Sequence, residues 1–183
     1  MRRKSQHPKK ENLKMKTAAV LSAIVCTFAV MGLDSMSTDF TNPKSVKAWG
    51  LDGSPANMPA LKFGYNAEKK AFAVDNKETK KVACFICRGQ YLDVKKGDVI
   101  HVSFEVCGQG KAYLTYECLS GSKWVCMGNG SQKFQLKPEW TKFEADLVVK
   151  DGKLPTTKVM MDFVVMGSGN MMIRSYSAAK AVK

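Results

Sequence analysis

The sequence predicts an all-β protein, an antiparallel β-sandwich of jelly-roll type that follows an N-terminal signal peptide. Three observations carry that expectation. Beyond residue 32 no stretch places its apolar residues at helical spacing. Short runs of β-branched and aromatic residues recur instead, cut by Gly, Asn, Asp and Lys turns about every ten residues. The central run, 99–107, alternates strictly: Ile100, Val102, Phe104 and Val106 share one face, and His101, Ser103, Glu105 and Cys107 the other. Alternation rather than continuous apolar runs belongs to antiparallel sheets with one solvated face.

The front of the chain has the three parts of a secretory signal. Arg2, Arg3, Lys4, Lys9, Lys10, Lys14 and Lys16 form a basic region with one acid, Glu11, and residues 17–32 carry no charge. Val30 and Gly32 suit a peptidase cut after residue 32, and a cut as late as 37 is also compatible. Sixteen uncharged residues fall short of the ~20 that a spanning helix needs, and Asp34 and Asp39 follow where a cytoplasmic flank would be basic. No permanent membrane span is expected. Residues 33–176 then form the sandwich and 177–183 a frayed basic tail, with the protein secreted, periplasmic or at the cell surface.

Removing the signal changes the composition. Of 183 residues 151 remain, which suits one domain. The net charge falls from +13 to +7, spread as single lysines without any nucleic-acid-binding motif, so nucleic acid is not an expected partner. Cys26 is lost, leaving Cys84, Cys87, Cys107, Cys118 and Cys126. Cys84 and Cys87 have CxxC spacing, but in a strand that spacing points them to opposite faces. With His101 the one histidine left and no second CxxC, a zinc site lacks ligands.

The elements follow in order. Runs 61–65 and 71–74 flank a polar turn and read as a hairpin. Runs 81–87 and 91–94 lead to the turn Lys95-Lys96-Gly97-Asp98 and the alternating strand 99–107. Gly108-Gln109-Gly110-Lys111 reads as a reversal, with 112–119 returning antiparallel. Gly121-Ser122 turns into 123–127, and 134–136, 141–149 and 158–166 follow. Gly167-Ser168-Gly169-Asn170 reads as a last turn before 171–176.

Over residues 40–176 this layout resembles carbohydrate-binding modules of the family 4/9 type and related galactose-binding-like jelly rolls. The likeness lies in ordered pieces. Phe40-Thr41-Asn42-Pro43 leads to Trp49, and Lys95-Lys96-Gly97-Asp98 leads into strand 99–106. Lys137-Pro138-Glu139-Trp140-Thr141-Lys142-Phe143 and the strand before Gly167-Ser168-Gly169 complete the series. The resemblance implies a polysaccharide or glycan ligand, no catalysis, and a structural role for Trp140. It also implies a structural calcium held by an aspartate near the last strand. Here that stretch reads Ile173-Arg174-Ser175-Tyr176, and arginine does not ligate calcium, so no cofactor is expected.

Sugar recognition needs aromatic faces against pyranose C–H faces and polar side chains for the hydroxyls. On 112–119, Tyr113, Thr115 and Glu117 form the more polar row, against Leu114, Tyr116 and Cys118. The candidate ligand contacts are therefore Trp124, Tyr113, Glu105, Glu117 and Trp49. Glu105 and Glu117 on a flat solvated sheet are not expected to have the perturbed acidity of a glycosidase pair. The rival reading is a structural or protein-interaction domain. It rests on the odd cysteine and eleven methionines, since methionine surfaces adapt to protein partners.

Overall fold

The computed structural model describes residues 34–53, 57–77, 81–128 and 132–181. The signal assigned to residues 1–32 lies outside the described residues. Eleven strands follow in chain order: β1 (Ser35–Asp39), β2 (Trp49–Leu51), β3 (Leu61–Asn66), β4 (Ala71–Asn76), β5 (Val82–Cys87), β6 (Leu92–Asp93), β7 (Val99–Ser120), β8 (Lys123–Met127), β9 (Gln132–Gln135), β10 (Thr141–Val148) and β11 (Lys158–Lys180). One 3-10 turn, Ser45–Ala48, precedes β2. Among the described residues no helix is long and apolar enough to cross a membrane.

β7 and β11 organise the molecule. They pair antiparallel along nearly their whole length, from Lys158↔Leu119 to Lys180↔Ile100. The first half of β7 also takes β10, and the second half of β11 takes β4 and β1, with β3 beyond β4. The second half of β7 takes β8 and β9, while the first half of β11 takes β5 and β6, with β2 beyond β5. The single hydrogen-bonded sheet is thereby folded into two arms that face each other.

The core between the arms shows the fold directly. Phe104 of one arm meets Phe163 of the other with ring centres 5.0 Å apart, and Phe72 meets Phe85 at 5.3 Å. Phe134 and Phe143, from edge strands of opposite arms, close one side at 4.5 Å. Such pairs add ~0.5–1.5 kcal/mol each beyond area burial. The alternation read from the sequence is realised: Ile100, Val102, Phe104 and Val106 point inward, as do Ala112, Leu114, Tyr116 and Cys118. The fold is the antiparallel jelly-roll sandwich that the sequence predicts.

Two expected reversals are corrected. Residues 108–111 do not turn β7 back on itself, and residues 167–170 do not separate two strands. At both places the strand continues and bends from one arm into the other, with the register shifted between Met166 and Asn170. Glycine makes the bend possible: Gly108, Gly110 and Gly167 have φ of 146°, 100° and 60°. At Gly108 a Cβ would run into the carbonyl of Asn170, so the two strands approach more closely there than any side chain permits. A glycine–polar cluster signals a backbone departure, and sequence spacing does not distinguish a reversal from a bend.

The expected frayed tail is also corrected. β11 runs to Lys180, Ala178 is buried, and the Ala181 amide donates to the Val99 carbonyl at 2.9 Å. β1 lies alongside it, with Met36 buried opposite Ala178. A signal cut as late as 37 would remove Met36 from that contact.

The five cysteines among the described residues are free thiols. Cys87 and Cys118 lie in the core, where burial pushes each thiol up to about 12. Cys118 also faces Cys126 directly across β8. A three-unit rise from 9.0 lowers the thiolate population roughly a thousandfold near pH 8. Iodoacetamide is therefore expected to leave Cys87 and Cys118 unlabelled over hours in the native protein and to label them within minutes in denaturant. Fast native labelling at both sites, read by peptide mass, would contradict this burial.

Candidate functional site

The outer face of the arm that contains β5, the second half of β7 and the first half of β11 carries a continuous row of chemistry. Cross-strand partners in a sheet point to the same side, so register assigns each residue to a face. Asp162 lies opposite Thr115 on one neighbour and Ile86 on the other. Val164 lies opposite Tyr113 and Cys84, and Met160 opposite Glu117. On β8, Trp124 pairs with Leu119 and Met127 with Glu117. All of these side chains point away from the aromatic core.

Facing outward does not leave them solvated. Glu117 is 9% exposed and Asp162 is 0% exposed. Ile86, Leu119 and Met160 form a small apolar cluster of their own, with Cys84 and Tyr91 packed against it. Trp124, at 56% exposure, stands open beside this cluster. The result is an exposed aromatic ring at one end of the face and two buried acids further along it.

The acids are electrostatically unrelieved. Neither carboxyl oxygen of Asp162 has a hydrogen-bond partner among the described residues. Burial pushes the acid up to about 8, with Glu117 and Asp52 adding to the rise. Burial raises the Glu117 carboxyl as well, reinforced by Asp52 and opposed by Arg88. Arg88 folds over Gly50, where a Cβ would lie 3.2 Å from its Nε, and its Nη2 donates to the Leu51 carbonyl at 2.9 Å. Burial also raises the Tyr113 phenol. An unsatisfied buried carboxyl is uncommon in a folded protein and calls for an explanation.

The sequence candidates separate. Tyr113, Glu117 and Trp124 lie together on this face. Trp49 does not: it is 4% exposed, in the core, with its Nε1 donating to Thr38 Oγ1 at 3.2 Å and its ring 5.3 Å from Tyr176. Its position in β2 opposite Cys87 turns it inward, so it makes no ligand contact. Glu105 is corrected too. It projects from the other arm, where the bend of β7 sends it to the opposite outer face from Glu117. There it forms a bidentate pair with Arg174 at 2.8 and 3.1 Å, which holds its carboxyl low. The Arg174 guanidinium lies 4.5 Å above the Trp140 ring, giving Trp140 a stacking role at the surface.

The expectation of unperturbed carboxyls on a flat face fails for Glu117, because its side chain is nearly buried. The shifts nevertheless do not form an acid–base pair. Glycosidase carboxyls are pushed in opposite directions, one ionised and one protonated, whereas Glu117 and Asp162 are both raised. Asp162, Asp52 and Arg88 were not among the sequence candidates. A lone acid inside the apolar run 158–166 was the available signal for Asp162. Nothing in the sequence marks Arg88 or Asp52.

No protein-family model and no curated protein matches the chain. Solved structures do. One described as BiXyn10A CBM1 in its apo form is 13% identical, superposes with a TM-score of 0.55, and covers 82% of this chain and 99% of its own. A family 29 carbohydrate-binding module is 14% identical with a TM-score of 0.50 over 80% and 88% of the two chains. A third is the enzymatically active domain of tailspike protein 4 of bacteriophage CBA120. It is 13% identical at a TM-score of 0.53, covering 78% of this chain and 20% of that one. At these identities the likeness is one of fold: the chain has the jelly-roll architecture of carbohydrate-binding modules.

Proposed function

We propose that the protein is a secreted, non-catalytic carbohydrate-binding module whose ligand lies on the outer face of the β5–β11–β7–β8 arm. The observation that carries this reading is the exposed Trp124 ring on the same outer face as Tyr113 and the nearly buried Glu117. A pyranose ring has an apolar C–H face and an edge of hydroxyl donors. Trp124 supplies the surface for the first, and Glu117, which keeps a thin exposure, accepts from the second. Tyr113 extends the same row. The fold adds support, since several proteins that share it are described as carbohydrate-binding modules.

Affinity electrophoresis through gels containing soluble polysaccharides tests this. The wild-type protein is expected to be retarded by at least one polysaccharide. Trp124→Ala, which removes an exposed ring and leaves the core untouched, is expected to lose at least about tenfold in affinity with an unchanged melting temperature. Retardation that is identical in the variant places the ligand elsewhere.

A protein-docking role is the second reading, favoured by one specific feature on the other arm. Phe63 stands 40% exposed over a hollow of about 350 Å³ lined also by Tyr65 and Met172. Recovery of a protein partner whose capture is lost in Phe63→Ser, with no retardation by any polysaccharide, would support it over the sugar reading.

A further inference from the structure

We propose, independently of the sugar-binding reading, that Cys118 and Cys126 are a disulfide site, closed on oxidation into a covalent bridge between β7 and β8. The two residues are direct cross-strand partners in that antiparallel pair. Such partners have Cα atoms about 4.5–5.5 Å apart, inside the ~4.4–6.8 Å that disulfides span. They also point to the same side of the sheet, and both sulfurs reach one loop. Cys118 Sγ donates to the Lys150 carbonyl at 3.7 Å, and a Cβ on Gly152 would lie 3.0 Å from Cys126 Sγ. Burial raises the Cys118 thiol, and a hydrogen bond with the Cys126 thiol raises it further, so the sulfurs already touch in the reduced protein.

No other pairing fits among the described cysteines. Cys84 and Cys87 lie on β5, which β11 separates from β7, and their own spacing turns them to opposite faces. Two strand spacings come to roughly 9.5 Å, beyond the ~7 Å that a bridge tolerates. Cys107 lies opposite Met172 in the other arm, beyond the bend from Cys118. β8, by contrast, hydrogen-bonds to β7 alone among the described strands, and the register shifts beside Cys118. An edge strand with such an irregularity settles to the geometry of a bridge without disturbing a second neighbour. The strand fastened in this way carries Trp124.

The oxidant is a disulfide, of a small molecule or of an oxidoreductase. Cys126 is partly exposed and Cys118 is 0% exposed, so Cys126 reacts first. Its thiolate attacks one oxidant sulfur, forming a mixed disulfide and releasing one oxidant thiol. Cys118 then attacks the Cys126 sulfur, passing its proton to the second oxidant thiolate as that leaves. Two protein S–H bonds and one oxidant S–S bond are lost, and one protein S–S bond and two oxidant S–H bonds are gained. The raised Cys118 thiol makes the second step the slow one. In the reduced protein the pair remains two thiols, the state in which Cys118 labels in denaturant.

Incubation of the native protein with oxidised glutathione at about pH 8, followed by iodoacetamide in denaturant and digestion with trypsin, tests the bridge. Tryptic peptides 112–123 and 124–133 are expected to be joined through Cys118 and Cys126, with Cys84, Cys87 and Cys107 outside the link. The oxidised protein is expected to melt about 5 °C or more above the reduced one, a difference that dithiothreitol removes. In Cys118→Ser the Cys126 thiol is expected to carry glutathione, whereas in Cys126→Ser the buried Cys118 is expected to stay unmodified until denatured. Alkylation of both Cys118 and Cys126 in the oxidised wild-type protein overturns the inference. A link from either one to another cysteine, glutathione on Cys118 in native Cys126→Ser, or an oxidised protein that melts no higher than the reduced one overturns it as well.

Discussion

Replacing Asp162 by Asn is expected to stabilise the protein, and by an amount that grows with pH. In the unfolded chain the acid ionises near its ordinary value of 3.8, while in the folded chain it holds its proton up to about 8. Between those values the native state binds more protons than the unfolded state, so stability falls as pH rises through the window. Below about pH 4 both states are protonated, and above about pH 8 the loss is complete. At ~1.4 kcal/mol per unit the full loss is of order 5 kcal/mol. Asparagine has nearly the same shape and no charge to desolvate. Urea titrations at about pH 4 and pH 8 are therefore expected to give similar stabilities for the two proteins at the lower pH and a gap of several kcal/mol at the higher one. Parallel profiles across the window would contradict the burial and isolation of this carboxyl. The raised Glu117 acts in the same direction, so some slope remains in the variant.

That expectation bears on function. A domain of this size has a net stability of only ~5–15 kcal/mol, so an unpaired buried acid is a large burden. Binding sites are where such burdens persist, because the ligand rather than the protein completes the hydrogen bonding. Stabilisation by Asp162→Asn follows from burial alone, so weakened ligand binding in the same folded variant is what distinguishes a site from a purely structural acid.

Gly108→Val is expected to be the most damaging single substitution in the bend. The new side chain would point into the Asn170 carbonyl, and φ at this position is 146°. Backbone on both sides of the contact belongs to the two longest strands, so neither moves without disturbing both arms. A loss of about 4 kcal/mol or more is expected, enough to leave much of the protein unfolded or insoluble. Gly97→Ala provides the comparison. It shares a positive φ of 85°, but a Cβ there meets nothing within 4 Å. Its expected loss is ~1–2 kcal/mol from the backbone alone. Equal losses at the two positions, measured by urea unfolding, would show that the close approach of β7 and β11 is unimportant.

Much of the fold is legible in the sequence, because period-two alternation depends only on which face is buried. The inward rows Ile100–Val106 and Ala112–Cys118 follow from that rule without reference to topology. The path between the rows does not. Gly108 and Gly110 announce a departure from regular strand, yet reversal and bend use the same residues. Reading a reversal would place Glu105 and Glu117 on one face, and the bend puts them on opposite faces. Trp49 was illegible for a related reason. A tryptophan in a three-residue strand has no alternation around it to say which way it points, and its neighbours Phe40, Phe163 and Tyr176 are distant in sequence. The Tyr113–Glu117 row was legible as polar and outward. That Glu117 is nearly buried was not legible, since the apolar cluster Ile86, Leu119 and Met160 on the same face draws on separate segments that no local pattern joins.

The location of the site is tested most directly by nuclear magnetic resonance. With ¹⁵N-labelled protein and a polysaccharide fragment that retards it, the largest amide shifts are expected along Thr115–Leu119, Met160–Val164 and Lys123–Met127, with the Trp124 indole among them. Shifts concentrated instead around Glu105, Trp140 and Arg174 on the opposite face would contradict the account.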